Sequence, residues 1–455
     1  MGGMSAAAPS DIHLAEIVSA LSYALDITEG QPAGHAIRCC WIGMHVGHRL
    51  GLDDAALSDL YYTLLLKDVG CSSNAARLCQ LYLANDLQFK SDYKFIDHTL
   101  PQLLGFILSH TGMKESLAER FRAIIHIARN GGEIARELIE TRCTRGAEIA
   151  RQMRFSETVA QGILDLDEHW DGQGQPVGLA GAAISLGGRI ALLAQVADVF
   201  FKSGGPKAAM RELRQRKGVW FDPALVDHFE QIAADPFFWE ALGADDIEAR
   251  VLALEPVRLV ITLDDDYLDD VAAGFAKVVD SKSPYTSGHS DRVALFTDLI
   301  AEAMGLSAER RRWLKRAALL HDIGKLGVSN QVLDKPGKLD DAEWGDIKRH
   351  PELGETILAR IAAFADMARI AATHHEKLDG TGYPRGLKAD DLPLETRIVT
   401  TADIFDALTA ERPYRGPMPV GKALEIMTGM LGTAIDPACL DALGRAVARI
   451  DAEAA

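Results

Sequence analysis

The sequence repeats itself, and that restricts its folding more than any other feature. Gly34-His35-Ala36-Ile37-Arg38 is answered by Gly288-His289-Ser290-Asp291-Arg292 at an offset of 254, and Gly51-Leu52 by Gly305-Leu306 at the same offset. Farther on the offset becomes 208: Asp171-Gly172-Gln173-Gly174-Gln175-Pro176 answers Asp379-Gly380-Thr381-Gly382-Tyr383-Pro384, Gly178-Leu179 answers Gly386-Leu387, and Arg189-Ile190 answers Arg397-Ile398. One fold is therefore expected twice, with the difference of 46 residues carried by the first copy as an insertion within about 72–118. The length of 455 residues agrees, since about 150 residues per domain allows two to four domains.

Periodicity sets the fold class. Val293, Phe296, Leu299 and Ile300 form a stripe of period 3.6, and Leu314, Ala318, Leu319 and Leu320 form another. Few runs alternate with period two, and Gly- and Pro-rich loops fall at 327–338 and 379–393. The expectation is an all-α chain: a first domain over 11–255, an acidic junction over 256–274, and a second domain over 275–455. The junction contains ITLDDDYLDD, which alone carries a charge of -5.

Composition removes several classes of function. With 48% hydrophobic and 25% charged residues the chain is globular, and no run nears the roughly 18 apolar residues of a membrane helix. The start, MGGMSAAAPS, has neither the basic nor the apolar region of a secretory signal and misses the myristoylation pattern. Six cysteines without a CxxC spacing suit neither a disulfide framework nor a thiolate zinc site, so a cytoplasmic protein is expected. A net charge of -17 argues against a nucleic-acid polymer as partner. A small phosphorylated ligand stays open, because a metal site supplies positive charge locally.

The chemistry lies in the second copy. Residues 271–455 hold five histidines, His289, His321, His350, His374 and His375, beside carboxylates in His321-Asp322 and Thr401-Ala402-Asp403. Imidazole and carboxylate without thiolate suit iron, manganese or zinc. The donors exceed what one ion needs, which favours two ions sharing a bridging aspartate. Such a pair polarises a phosphoryl group, generates hydroxide near neutral pH and steadies the attacking and leaving oxygens. Lys325, one helical turn beyond His321, would set a fixed cation against a phosphate oxygen or the leaving alkoxide. Metal-assisted phosphodiester hydrolysis is the reaction class these residues indicate.

The ordered series His321-Asp322-Ile323-Gly324-Lys325, His350-Pro351, His374-His375-Glu376, Asp379 to Pro384, and Asp403 followed by Arg412-Pro413-Tyr414-Arg415 resembles the HD-GYP subgroup of HD-superfamily metal-dependent phosphohydrolases, over about 275–440. The resemblance implies an all-helical domain that cleaves the cyclic dinucleotide c-di-GMP to pGpG or GMP with two divalent ions, iron or manganese. Carried over by position, the ligands are His321, Asp322 as the bridge, His350, His374, His375 and Asp403, with Lys325 on phosphate. Asp322 and Lys325 are thus the expected catalytic residues, and Tyr383, Arg412 and Arg415 the candidates for substrate contact. Some members hold a third metal through a Glu four residues before the position of His289. Here that residue is Tyr285, so two metals are expected, and His289 is either an additional ligand or a hydrogen-bonding group at the rim. The motifs recognise phosphate and metal rather than base. Cyclic GMP-AMP or another phosphoester is therefore the alternative substrate, and a non-catalytic nucleotide-binding effector the alternative class.

The first copy reads as a degenerate HD domain. His321 becomes Lys67, Asp322 stays as Asp68, His350 becomes Arg142, His374 becomes Leu166, His375 becomes Asp167, Asp403 becomes Gln195 and Lys325 becomes Cys71. Such a domain would dock on the active copy, form a homodimer, engage a signalling-protein partner or sense a ligand. Lys67 and Arg142 either build an anion pocket or pair with Asp68 and Asp167, and pairing avoids an unpaired buried charge. Two features of the second copy also have plain structural readings. Asp379 to Pro384 suits a turn, and Arg310-Arg311-Arg312 with Lys315-Arg316 suits a solvated helical face or, alternatively, steers an anionic substrate.

Overall fold

A computed structural model describes residues 14–96, 100–113, 115–256, 264–411 and 416–454. Among these residues every regular element is helical, and strand pairing is limited to isolated bridges such as Asp379 with Lys388. No described helix is long and apolar enough to cross a membrane. The chain divides into two compact units, residues 1–270 and 271–455.

The first unit contains α1 (Leu14–Thr28), α2 (His35–Arg49), α3 (Asp54–Leu66), α4 (Ala75–Tyr82), α5 (Asp86–Tyr93), α6 (Leu100–His110), α7 (Leu117–Gln152), α8 (Glu157–Leu164), α9 (Leu186–Gln215), α10 (Pro223–Ala233), α11 (Pro236–Leu242) and α12 (Ile247–Leu252). The division falls inside α13 (Asp265–Asp280). The second unit continues with α14 (His289–Ala303), α15 (Ala308–Leu320), α16 (Asn330–Leu333), α17 (Asp341–Lys348), α18 (His350–Leu358), α19 (Ala365–Thr373), α20 (Leu394–Thr409), α21 (Val420–Thr428) and α22 (Pro437–Ala454).

The repeat is visible in helix ends. α2 and α14 start at matching residues, and α3 and α15 match at both ends. Each start has a local cause. Gly34 and Gly288 precede α2 and α14 with φ of 83° and 66°, a conformation that costs other residues a Cβ clash. Asp53 and Ser307 cap α3 and α15 by accepting from the backbone N–H of Ala56 and Arg310. A difference has an equally local cause. Pro351 lies in the first turn of α18, where its missing N–H is harmless, and it separates α18 from α17. The matching residue is Cys143, and the first unit runs through as the 36-residue α7.

Helix α4 falls where the short α16 lies in the second unit, and α4, α5 and α6 together fill the insertion of the first copy. They bury Leu78, Leu81, Phe89 and Phe106 against Ile134 and Leu138 of α7, a satellite core of their own. Close backbone crossings hold each centre together. A Cβ on Gly324 would lie 1.9 Å from the carbonyl oxygen of His350, and one on Gly70 would lie 1.9 Å from that of Arg142. Only glycine permits that approach, and it sets Asp322 beside His350 and Asp68 beside Arg142.

Candidate metal centre

The second unit gathers its histidines at helix ends. His321 follows α15 and His350 opens α18, while His374 and His375 follow α19; Asp403 lies in α20 and His289 opens α14. Three rings are oriented by their own backbone. Nδ1 of His321, His350 and His374 lies 2.6, 2.7 and 2.8 Å from the carbonyl oxygens of Ala318, Ile347 and Ala371. A carbonyl accepts only, so each Nδ1 carries the proton and each Nε2 presents a lone pair inward.

Those lone pairs converge. Nε2 of His350 is 3.3 Å from Nε2 of His374 and 3.3 Å from Oδ1 of Asp322. Nε2 of His321 is 3.3 Å and Nε2 of His289 3.2 Å from Oδ2 of Asp322, while Oδ1 of Asp403 is 3.5 Å from Nε2 of His289. Nε2 of His321 and Oδ1 of Asp322 are buried without a hydrogen-bond partner. Acceptors facing acceptors at this spacing call for a cation between them, so the residues fit a metal. Two donor groups form, one of Asp322, His350, His374 and His375 and one of His289, His321 and Asp322, and Asp322 belongs to both.

Electrostatics favour the same occupant. Burial depresses His374 to about 4 and holds His375 well below its usual range, so both stay neutral. Burial alone would raise the Asp322 carboxyl, yet the surrounding imidazoles, the Lys325 ammonium and the hydrogen bond from His289 hold it well below the usual carboxylate range. His289 moves the other way: against the effect of burial, hydrogen bonds to Asp322 and Asp406 raise it to about 9.

Several expectations need correction. His289 is not at the rim; it is 1% exposed, with Nδ1 donating to Asp406 over 2.7 Å and Nε2 facing Asp322. Lys325 does not continue an α-helix, because residues Ile323–Gly327 wind as a 3₁₀ turn, and its ammonium pairs with Asp322. The basic run is not one solvated face. Arg310 pairs with Glu395, Arg311 with Asp298 and Glu302, and Arg316 is buried. Tyr383 lies against His375, with ring centroids 4.9 Å apart, and Nζ of Lys348 lies over the Tyr383 ring at 5.7 Å from its centroid. Asp379 accepts from the N–H of Thr381 and closes the turn. Arg412 and Arg415 lie outside the described residues.

Two carboxylates escaped the sequence reading. Asp406 holds His289 and accepts from Nε of Arg292 at 2.5 Å. Glu376, 1% exposed, accepts from the N–H groups of Arg385 and Leu387 and so fixes the loop that carries Tyr383. The signal was present in the repeat, where Asp406 answers Asp198 and Glu376 answers Glu168 at the offset of 208.

The first unit keeps this frame and changes its charge. Nδ1 of His35 donates to Asp198 over 2.7 Å, Nε of Arg38 donates to Asp198 over 2.6 Å, and Glu168 accepts from the N–H groups of Val177, Gly178 and Leu179. The ammonium of Lys67 pairs with Asp68 and lies 3.2 Å from both Nε2 of His35 and Oε1 of Gln195. Its three N–H donors thus meet the counterparts of Asp322, His289 and Asp403. Arg142 pairs with Asp167, with Nε at 2.9 Å. Of the two arrangements open to these cations, pairing is the one observed.

Comparison with known proteins places this architecture. Residues 122–225 and 275–439 match the HD domain family. The chain is 56% identical over 434 residues to 3′3′-cGAMP-specific phosphodiesterase 3 of Vibrio cholerae serotype O1, covering 95% of this chain and 94% of that protein. It is 37% identical over 212 residues to the cyclic di-GMP phosphodiesterase response regulator RpfG of Xanthomonas campestris pv. campestris, covering 46% of this chain and 56% of that one. A crystal structure of the cyclic GMP-AMP-specific phosphodiesterase V-cGAP3 from V. cholerae aligns with a TM-score of 0.65 and 51% identity, over 96% of this chain and 98% of that chain.

Proposed function

The chain belongs to the HD domain family, and we propose that it is a metal-dependent cyclic-dinucleotide phosphodiesterase acting on 3′3′-cyclic GMP-AMP, with its catalytic centre in the second unit. One observation carries the reading: two sets of inward lone pairs share Asp322. The choice of substrate departs from the c-di-GMP expectation. The relative that matches along 95% of the chain is named for cyclic GMP-AMP, whereas the c-di-GMP relative RpfG matches over 46%.

His321 and Asp322, with Asp403 beside them at His289, would hold one divalent ion and Asp322, His350, His374 and His375 the other, with iron or manganese suited to this nitrogen and oxygen set. Bound there, the two ions supply Lewis acidity and a nucleophile at neutral pH. The chain's own groups do the rest. The backbone carbonyls of Ala318, Ile347 and Ala371 keep the three imidazoles in the ligating tautomer. Asp406 orients His289 toward Asp322. Lys325, with its ammonium at the bridging carboxylate, is placed to meet a nonbridging phosphate oxygen. Tyr383 offers a ring at the edge of the centre for a base to lie against.

The test is hydrolysis by anaerobically purified protein of known metal content, with products separated by chromatography. A linear dinucleotide from cyclic GMP-AMP, formed about tenfold faster or more than from c-di-GMP, is expected, a preference of about 1.4 kcal/mol. Equal or inverted rates would overturn the substrate assignment. Absence of linear product from either compound would leave a non-catalytic effector in place of the enzyme.

A further inference from the structure

Beside its altered centre the first unit encloses a cavity of about 150 Å³. Arg142, Asp167 and Gln195, which replace His350, His375 and Asp403, form one wall, and Tyr82, Phe89 and Tyr93 from the inserted helices form another. His169, stacked on Trp220 with ring centroids 4.3 Å apart, adds a further aromatic surface. An engineered apolar cavity of about 150 Å³ accepts a benzene ring, so this one is sized for a single ring.

The polar groups narrow the ligand. Lys90, Lys94 and Arg142 outnumber Glu29 and Asp167 by one positive charge. Lys90 is already satisfied, with Nζ 2.7 Å from the carbonyl of Cys71 and 3.3 Å from Oε1 of Glu29. Lys94 is not: Nζ is 3.1 Å from Oε2 of Glu29, yet it is buried without a well-aligned hydrogen bond. Nη1 of Arg142 meets only the sulfur of Cys71, at 4.0 Å. Across the same cavity Oδ1 of Asn74 is buried and accepts no hydrogen bond. The surroundings thus offer an aromatic slot, unused N–H donors carrying one excess charge, and one unused acceptor.

We propose that this cavity binds a small single-ring aromatic acid, its ring among Tyr82, Phe89 and Tyr93, its carboxylate on Lys94 and Arg142, and a ring hydroxyl or amine donating to Asn74. The degenerate unit is then a ligand-binding module. This assignment concerns the first unit alone and stands whichever dinucleotide the second one cleaves.

Calorimetric titration of the full-length, metal-free protein tests it with benzoate, 4-hydroxybenzoate and 4-aminobenzoate, and with 4-hydroxybenzyl alcohol as the uncharged comparator. Saturable binding of one hydroxy or amino acid per chain is expected, weakened about tenfold or more in the alcohol, as loss of a charge-assisted hydrogen bond implies. Lys94→Met should erase that preference, and Ala135→Phe, which fills the cavity from α7, should remove binding. Failure of all three acids to bind saturably overturns the proposal. So does affinity unchanged in Ala135→Phe; if that variant does not fold, affinity unchanged in Lys94→Met overturns it instead.

Discussion

The two units carry the same scaffold around opposite solutions to one electrostatic problem. In each, a buried aspartate grips the Nδ1 of a histidine at 2.7 Å and an arginine beside it; that histidine's other nitrogen faces Lys67 in the first unit and Asp322 in the second. In the first unit Lys67 supplies the central positive charge from within the chain. The second unit has His321 at that position, whose Nε2 is buried without a hydrogen-bond partner, and its ammonium, that of Lys325, pairs with Asp322 instead. The histidines register the difference. Burial and the neighbouring Lys67 push His35 down to about 4, whereas hydrogen bonds to Asp322 and Asp406 overcome burial and lift His289 to about 9. The frame therefore demands a cation among its acceptors, and metal is one way of meeting that demand.

The harshest way to break this comparison is to exchange the solutions. His321→Lys should place an ammonium at the catalytic centre, lower the metal content of purified protein and reduce turnover by on the order of a thousandfold. Metal analysis with a hydrolysis assay reads both, and retained turnover would show that the two centres are not equivalent frames. Next in size, Asp406→Asn should weaken metal affinity or turnover by about 10–100-fold through His289. The matching Asp198→Asn should leave turnover intact and instead cost about 3–5 kcal/mol of stability in the first unit, because Arg38 loses its buried partner. Denaturant titration beside the activity assay separates the two outcomes.

A milder test uses pH. In metal-free protein the contribution of His289 is fully present below its unfolded value near 6.5 and is lost as pH rises through about 9. His35 has the reverse sign. The unfolded state takes up its proton first, so stability falls as pH drops from about 6.5 toward 4. Histidine resonances followed by NMR across both windows should titrate in that order, and loading with metal should abolish only the His289 transition. The smallest effect is expected at the loop anchors. Glu168→Gln and Glu376→Gln should each cost about 1–3 kcal/mol by turning an acceptor away from backbone N–H groups. Only Glu376→Gln should also slow turnover, by roughly threefold to tenfold, because it loosens the loop under Tyr383.

Much of this was legible in the residues. The ordered histidines and aspartates were readable because each belongs to a short motif, the histidines at helix ends and Asp403 within α20, and the structure brings them together. Some helix starts carry a local mark, as Asp53 and Ser307 do for α3 and α15 and Gly34 and Gly288 for α2 and α14. What stayed hidden was long-range pairing. Nothing local in Thr401 to Asp406 says that Asp406 grips His289 from 117 residues away, so His289 read as either an additional ligand or a rim residue. The 3₁₀ turn over Ile323–Gly327 was hidden for a similar reason: its tightness is imposed by the crossing of Gly324 over the His350 carbonyl. The cavity of the first unit combines inserted helices with positions of the repeat and has no signature in either taken singly.

The lysine at the heart of the first unit has a practical corollary. A tethered ammonium cannot be stripped by a chelator, exchanged for another ion or oxidised, whereas a metal held as proposed in the second unit would be open to removal and exchange. One half of the molecule is thus indifferent to the metal status of its surroundings while the other would follow it. Each chain carries its own unresponsive reference, against which metal starvation or oxidative damage in the second unit can be read from a single sample.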